Sequence, residues 1–202
     1  LISKPELFID LGEGKGYIRQ LVKYNKEYFI LTENEGLFRA DEHGQITRSY
    51  PFQYKENQSI NAKKLYVDSK GILWVGTQLG LFLLDIKTDE MVTLLANPAD
   101  RYSLPHNSIW SIYADPDGGV WIGTFGGKLA YMSFDDNRVV YKSFSKGGLN
   151  SPIVSCFEED KSGNIWIGTE GGGVNCWNRR SNEFSYYTQS LSNGINYNLI
   201  KS

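Results

Sequence analysis

Asp115-Pro116-Asp117-Gly118-Gly119-Val120-Trp121-Ile122-Gly123-Thr124 is the stretch whose reading decides the fold. It has two close copies, Asp68-Ser69-Lys70-Gly71-Ile72-Leu73-Trp74-Val75-Gly76-Thr77 and Asp160-Lys161-Ser162-Gly163-Asn164-Ile165-Trp166-Ile167-Gly168-Thr169. The tryptophans stand at 74, 121 and 166, a period of 47 and then 45 residues. A worn copy precedes them. There Phe29-Ile30-Leu31-Thr32 fills the region of the Trp slot, and Glu35-Gly36-Leu37-Phe38 matches Leu79-Gly80-Leu81-Phe82. A fixed period of this length marks a repeat architecture.

Each copy reads as four short strands. Ala62 to Val67, Ile109 to Ala114 and Val154 to Glu159 alternate as half-buried strands with period 2. Asp-x-x-Gly then reverses the chain: the carboxylate caps the turn, Pro116 presets φ, and Gly accepts positive φ. The Trp-x-Gly-Thr run is a second strand. Gly126-Gly127 and Gly171-Gly172 make a further turn, and Leu81–Asp85, Leu129–Ser133 and Val174–Asn178 form the third strand. Met91–Leu95, Val139–Phe144 and Glu183–Tyr187 supply the fourth strand. Four antiparallel strands per repeat, without 3.6-residue periodicity, describe a β-propeller blade. Helical repeats are excluded by glycines every few residues, and leucine-rich repeats are shorter.

The fold class is therefore all-β, with about four four-stranded blades: 18–61, 62–108, 109–153 and 154–199. Residues 1–17 read as the end of a preceding blade, with Lys4 to Asp10 as its outer strand. Residues 200–202 open the next blade, because Asn198-Leu199-Ile200-Lys201-Ser202 repeats Asn107-Ser108-Ile109-Trp110-Ser111. Closed propellers leave no open edge. The chain is thus expected to be a piece of a larger propeller that self-associates in isolation through two apolar faces. The repeated Trp is expected to wedge between blades. Burying one removes about 150–250 Å² from water, at most about 4–6 kcal/mol at about 25 cal/mol/Å². The Gly two residues on lets a neighbour approach closely.

Composition narrows function. The 202 residues include 21 Gly and 14% aromatics, with a formal net charge of -2. Such a chain lacks the cation excess of a general nucleic-acid binder. Two cysteines make neither a disulfide scaffold nor a zinc ribbon. No apolar run reaches membrane-spanning length, and Leu1-Ile2-Ser3-Lys4-Pro5 opens no signal-peptide core. Cys156 and Cys176 fall on the first and third strands of one blade, about 9–10 Å apart. That is too far for a disulfide, so two free, buried thiols are expected.

Other chemistry-bearing residues have plainer readings. His43 and His106 sit in loop contexts. Glu158-Glu159-Asp160 and Asp135-Asp136 read as solvated acidic runs apart from the turn residue Asp160. Asp115-Pro116-Asp117-Gly118 lacks the downstream Glu of a calcium loop, and Gly12-Glu13-Gly14-Lys15-Gly16 lacks the spacing of a phosphate loop. A turn and a strand connection, respectively, fit them better. Asn61, Asn107, Asn150 and Asn198 recur before the first strand, which favours a turn role.

In many propellers the first strand of each blade lines the central channel. The polar and aromatic groups there are Lys63, Lys64, Tyr66, Asn107, Trp110, Tyr113, Ser155 and Glu158. Aromatic faces stack on ring-bearing ligands, and Asn, Glu or Lys give directional hydrogen bonds. Packing between blades is the competing role for Trp110 and Tyr113. No acid–base pair, metal set or cofactor motif stands out, so catalysis is not expected.

The repeat resembles the two-component regulator propeller repeat, Ile-x-Ser-Ile-x-x-Asp-x-x-Gly-x-Leu-Trp-Ile-Gly-Thr-x-x-Gly-Gly-Leu-x-x-Tyr-Asp. Residues 109–133 and 154–178 follow it closely, 62–85 with one deletion, and 18–61 least. Asn97 to Ile109 resembles the family's blade linker. The resemblance implies a seven-bladed propeller in the periplasmic sensor region of a hybrid two-component histidine kinase, with an oligosaccharide ligand and the remaining blades or a second copy as partners. It implies neither nucleic-acid nor membrane contact in this segment. A stand-alone, lectin-like propeller is the alternative.

Overall fold

Every repeat folds into one antiparallel meander. The computed structural model describes residues 7–14, 16–52, 60–100, 102–115, 118–126, 129–133, 138–142 and 148–188. Blade 1 comprises β1 (Ile18–Tyr24), β2 (Glu27–Thr32), β3 (Leu37–Ala40) and β4 (Ile46–Tyr50). Blade 2 comprises β5 (Ala62–Val67), β6 (Ile72–Thr77), β7 (Gly80–Asp85) and β8 (Met91–Leu94). Blade 3 comprises β9 (Ile109–Asp115), β10 (Gly119–Thr124), β11 (Leu129–Ser133) and β12 (Arg138–Lys142). Blade 4 comprises β13 (Val154–Glu159), β14 (Ile165–Thr169), β15 (Gly173–Asn178) and β16 (Glu183–Tyr187). Each sheet is four strands in chain order. The first strands gather: β1 lies against β5, β5 against β9, and β9 against β13. That is the radial stacking of a propeller, and all described regular structure is β. No described helix is long and apolar enough to cross a membrane. Residues 1–6, Asp135-Asp136, Phe144, Asn198 and 200–202 lie outside the described residues. Residues 7–12 belong to no strand.

The Asp-x-x-Gly turn does two jobs. In blade 2, Asp68 Oδ1 accepts the backbone N–H groups of Lys70 and Ile72, each at 2.9 Å. Its other oxygen, Oδ2, accepts the indole N–H of Trp74 at 3.0 Å. Asp115 takes the Trp121 indole N–H at 2.9 Å, and Asp160 takes that of Trp166 at 2.9 Å. The carboxylate therefore fixes the hairpin turn and satisfies the donor of a ring about to be buried. Trp74 packs with Ile109, Ile112, Val120 and Ile122 of blade 3, and Trp121 with Val154, Phe157, Ile167 and Trp177 of blade 4. Trp166 carries the same clasp on the outer face of blade 4 and is only half-buried.

Blade 1 has lost both partners together. Phe29 occupies the Trp slot, fully buried against Ile60, Ala62, Leu65, Leu73 and Val75. A phenyl ring has no N–H to satisfy, and its hairpin closes in two residues with Asn25 at φ 54°. The motif's Thr locks the next turn. The hydroxyls of Thr32, Thr77 and Thr169 donate to the carbonyls of Gly36, Gly80 and Gly173 at 2.9, 2.9 and 3.0 Å.

The first strands do not follow simple alternation. A register shift recurs at one place in all four blades, between Ile18 and Gln20, Ala62 and Lys64, Ile109 and Ser111, and Val154 and Cys156. The extra residue is a β-bulge. It puts residues three apart on one face, so Ala62 and Leu65, Ile109 and Ile112, and Val154 and Phe157 all face the preceding blade. Period 2 was thus the wrong template for this strand, because the bulge consumes one residue.

Facing the bulged strand, glycine makes room. A Cβ on Gly76 would lie 2.8 Å from Ile109 Cγ2, and one on Gly123 would lie 2.9 Å from Val154 Cβ. At the blade 1–2 junction the sizes are exchanged, with Leu31 and Ala62 both fully buried in one cluster. The linker after blade 2 joins the same seam. Leu104 is buried there, bridges to Ala96, and Asn107 Oδ1 accepts the Ala96 N–H at 2.6 Å.

Cys156 and Cys176 are free, as their strand positions require. They are half-buried rather than buried, because they share the outer face of the last blade, where Gly168 and Trp166 have no following blade in the described chain. Burial, and then the Asp160 charge, pushes the Cys176 thiol up.

Three outcomes follow. Asp68→Ala strands a buried indole N–H and should cost about 1–3 kcal/mol in urea unfolding. Most of that cost should vanish in a Trp74→Phe background, giving a clear coupling energy in a double-mutant cycle. Gly76→Leu should overpack the blade 2–3 seam by about 1–3 kcal/mol, and adding Ile109→Ala should recover part of it, reproducing the Leu31–Ala62 arrangement. The Asp160 carboxyl is held down at about 2 by the Trp166 indole N–H and then by Asn164. A depressed carboxylate stabilises the fold above its unfolded value near about 4 and loses that effect as pH falls through the folded value. Stability followed from pH 5 downward should therefore decline across that window, less steeply in Asp160→Asn.

Candidate functional site

The bulge sets the geometry of one channel mouth. Its extra residue is Arg19 in blade 1, Lys63 in blade 2, Trp110 in blade 3 and Ser155 in blade 4. All four stand at the start of the inner strand. Lys63 and Trp110 meet: the ammonium lies 4.5 Å from the indole ring centroid, across the blade boundary. The Trp110 N–H donates to Ser108 Oγ at 3.1 Å, which fixes the ring. The exposed Phe125, whose backbone N–H donates to the Ser108 carbonyl at 2.9 Å, meets the His106 ring at a 50° tilt with ring centroids 5.5 Å apart. His106 itself accepts the Ser108 N–H through Nδ1 at 2.9 Å, which confirms its turn context. Arg19 pairs with Glu33, and Glu33 also accepts from Asn61 Nδ2 at 3.0 Å. Asn61 Oδ1 is buried without a hydrogen-bond partner.

The far end of the inner strands is acidic. Tyr66, Tyr113 and Glu158 share one register position, opposite Trp74, Trp121 and Trp166. Tyr66 packs into the blade 2–3 seam. Tyr113 packs into the blade 3–4 seam and donates its hydroxyl to Glu159 Oε2 at 3.0 Å. Burial raises both phenols, Tyr113 further through its bond to Glu159 and Tyr66 through the nearby Asp68 charge. Arg179 reaches Asp115 at 3.0 Å and Glu159 at 3.8 Å. Glu158 is exposed.

The eight nominated residues therefore divide. Lys63, Trp110 and Ser155 occupy the same bulge position, with Lys64 next to it. Tyr66, Tyr113 and Glu158 lie toward the other end. Asn107 holds the blade linker instead. Asn150 likewise ties its loop to Asn175, accepting from its Nδ2 at 2.8 Å. Arg19 was missed because blade 1 lacks the Trp that aligns the other copies. The signal that finds it is Thr32, which blade 1 keeps together with Gly36-Leu37-Phe38. Among the described residues no cluster of three or more metal-ligating side chains occurs. The mouth can stack a ring, present cations and offer hydrogen bonds.

Comparisons with known proteins bear on the repeat and the fold. Residues 103–126 and 147–171 match the family described as two component regulator propeller. Histidine kinase P4 of Formosa agariphila is 27% identical over a 173-residue alignment that covers 70% of this chain and 13% of the relative. The chain thus spans a small part of that relative's length. The WD40 repeats of RRP9 superpose with a TM-score of 0.66 at 11% identity, over 87% of this chain and 52% of theirs. PorZ, a surface component of the type-IX secretion system of Porphyromonas gingivalis, gives 0.59 at 16% identity, over 80% of this chain and 24% of its own. The extracellular domain of a putative hybrid two component system from B. thetaiotaomicron gives 0.48 at 23% identity, over 90% and 32%. Four radially stacked blades, three of them clasped, and the two matched segments lead to one conclusion: the chain is a run of propeller blades in which residues 103–126 and 147–171 are similar to the two component regulator propeller repeat.

Proposed function

We propose that this chain is part of the extracytoplasmic, periplasmic ligand-sensing propeller of a hybrid two-component sensor histidine kinase and response regulator, and that its ligand is an oligosaccharide. Repeat identity supports the sensor assignment, together with a histidine kinase among the relatives. The observation that carries the ligand reading is the Lys63–Trp110 pair at the channel mouth, with the exposed Phe125 nearby. An aromatic face and a neighbouring cation are what a saccharide needs for stacking and directional bonding. The segment acts by binding, without a cofactor and without nucleic-acid or membrane contact. Ligand binding signals by favouring the arrangement of blades or subunits that it contacts better.

The terminal faces are where the rest of the assembly docks. On blade 1, Ile18 and Leu21 are 58% and 49% exposed at positions whose counterparts in blades 2 to 4 are buried. On blade 4, Trp166 is half-buried where Trp74 and Trp121 are covered. Remaining blades of the parent protein, or a second copy, cover them.

The test is a calorimetric screen of oligosaccharides against the protein, paired with a kinase-dependent reporter in cells. Binding and induction by the same saccharide, both weakened in Trp110→Ala, is the expected outcome. A protein that binds no saccharide, or one that turns its saccharide over, would overturn the proposal.

A further inference from the structure

The inner strands are electrically polarised along the channel. At their starts stand Arg19, Lys63 and Lys64; at the ends of β5, β9 and β13 stand Asp68, Asp115, Glu158, Glu159 and Asp160, whereas β1 carries Lys23 near its end. The acidic end carries Arg179 as its bridging cation. At the basic end, Glu33 answers Arg19, and the exposed Glu170 holds the position equivalent to Glu33 in blade 4. Among the described residues, neither Lys63 nor Lys64 forms an ion pair, and the Lys63 ammonium rests on the Trp110 ring instead. A cation–π contact at a half-exposed site is weak, about 0.5–1 kcal/mol. A charge-assisted hydrogen bond to an anion is stronger.

We infer that the basic mouth recognises an acidic saccharide, one bearing a carboxylate or a sulfate ester. Its ring stacks on Trp110, and its anionic group takes the Lys63 ammonium from the indole face. Trp110 is held in place for this by Ser108, so the platform needs no rearrangement beyond the lysine. The opposite mouth repels the same ligand through its carboxylates, so charge selects the end that is entered. This inference rests on the saccharide reading above and narrows it to one chemical class.

The experiment is calorimetry on the full chain with four probes: trigalacturonate, its methyl ester, a sulfated galactose oligosaccharide and the unsulfated counterpart. At least one acidic member should bind about tenfold tighter than its neutral partner, a factor within the range of charged hydrogen bonds. Which member does so separates carboxylate from sulfate. Lys63→Gln should abolish the preference, lowering the affinity of the acidic member more than that of its neutral partner, and Trp110→Ala should weaken both members of a pair. Higher salt should compress the preference. Equal binding of acidic and neutral members, or a preference that survives Lys63→Gln, overturns the anion assignment and leaves the saccharide reading standing. Absence of binding by all four probes together with every oligosaccharide of the wider screen overturns both. Lys63 is a bulge residue outside the apolar seams, so the decisive variant does not depend on Trp110→Ala folding.

Discussion

A buried indole is tolerable only when its N–H has an acceptor, and the architecture is organised around meeting that demand. Asp68, Asp115 and Asp160 each supply the acceptor from inside the hairpin that precedes the ring. Turn geometry and interblade packing are therefore one arrangement. The carboxylate aligns the second strand, and the aligned strand delivers the ring to the next blade. Blade 1 shows the same logic by omission. Its Phe29 fills the slot without a donor, and the acidic turn has gone with the indole.

The bulge is the second constraint, and it joins packing to function. Turning residues three apart toward the preceding blade builds the apolar seam. The residue left over is free to carry chemistry. Seam and mouth are thus specified by adjacent positions: Ile109 inserts toward Gly76 while Trp110, its neighbour, meets Lys63. A ligand at Trp110, as proposed above, would stand one residue from the contact that holds blades 2 and 3 together. That proximity is how the proposed occupancy would reach blade packing.

Much of this was legible in the sequence. The period of the Trp-x-Gly-Thr motif gave the blades, and Asp-x-x-Gly gave the turns, because both depend on local chemistry repeated nearly intact. Strand separation alone kept Cys156 and Cys176 apart. What stayed hidden depends on three-dimensional neighbours. The indole–carboxylate bond links residues six apart that only a particular twist brings together. The bulge leaves no composition signal, since Arg19, Lys63, Trp110 and Ser155 share no one residue type across the four blades. For the same reason Lys63 and Trp110 were both nominated, but their meeting across a blade boundary was not.

The exchange of bulk at Leu31 and Ala62 has a consequence for assembly. Repeats that resemble one another invite docking in the wrong order, a familiar hazard of tandem architectures. Leu31 set against Ile109 would collide, whereas Gly76 set against Ala62 would leave a hole. The first junction is therefore keyed differently from the later ones, and shape alone tells the second blade which neighbour is its own.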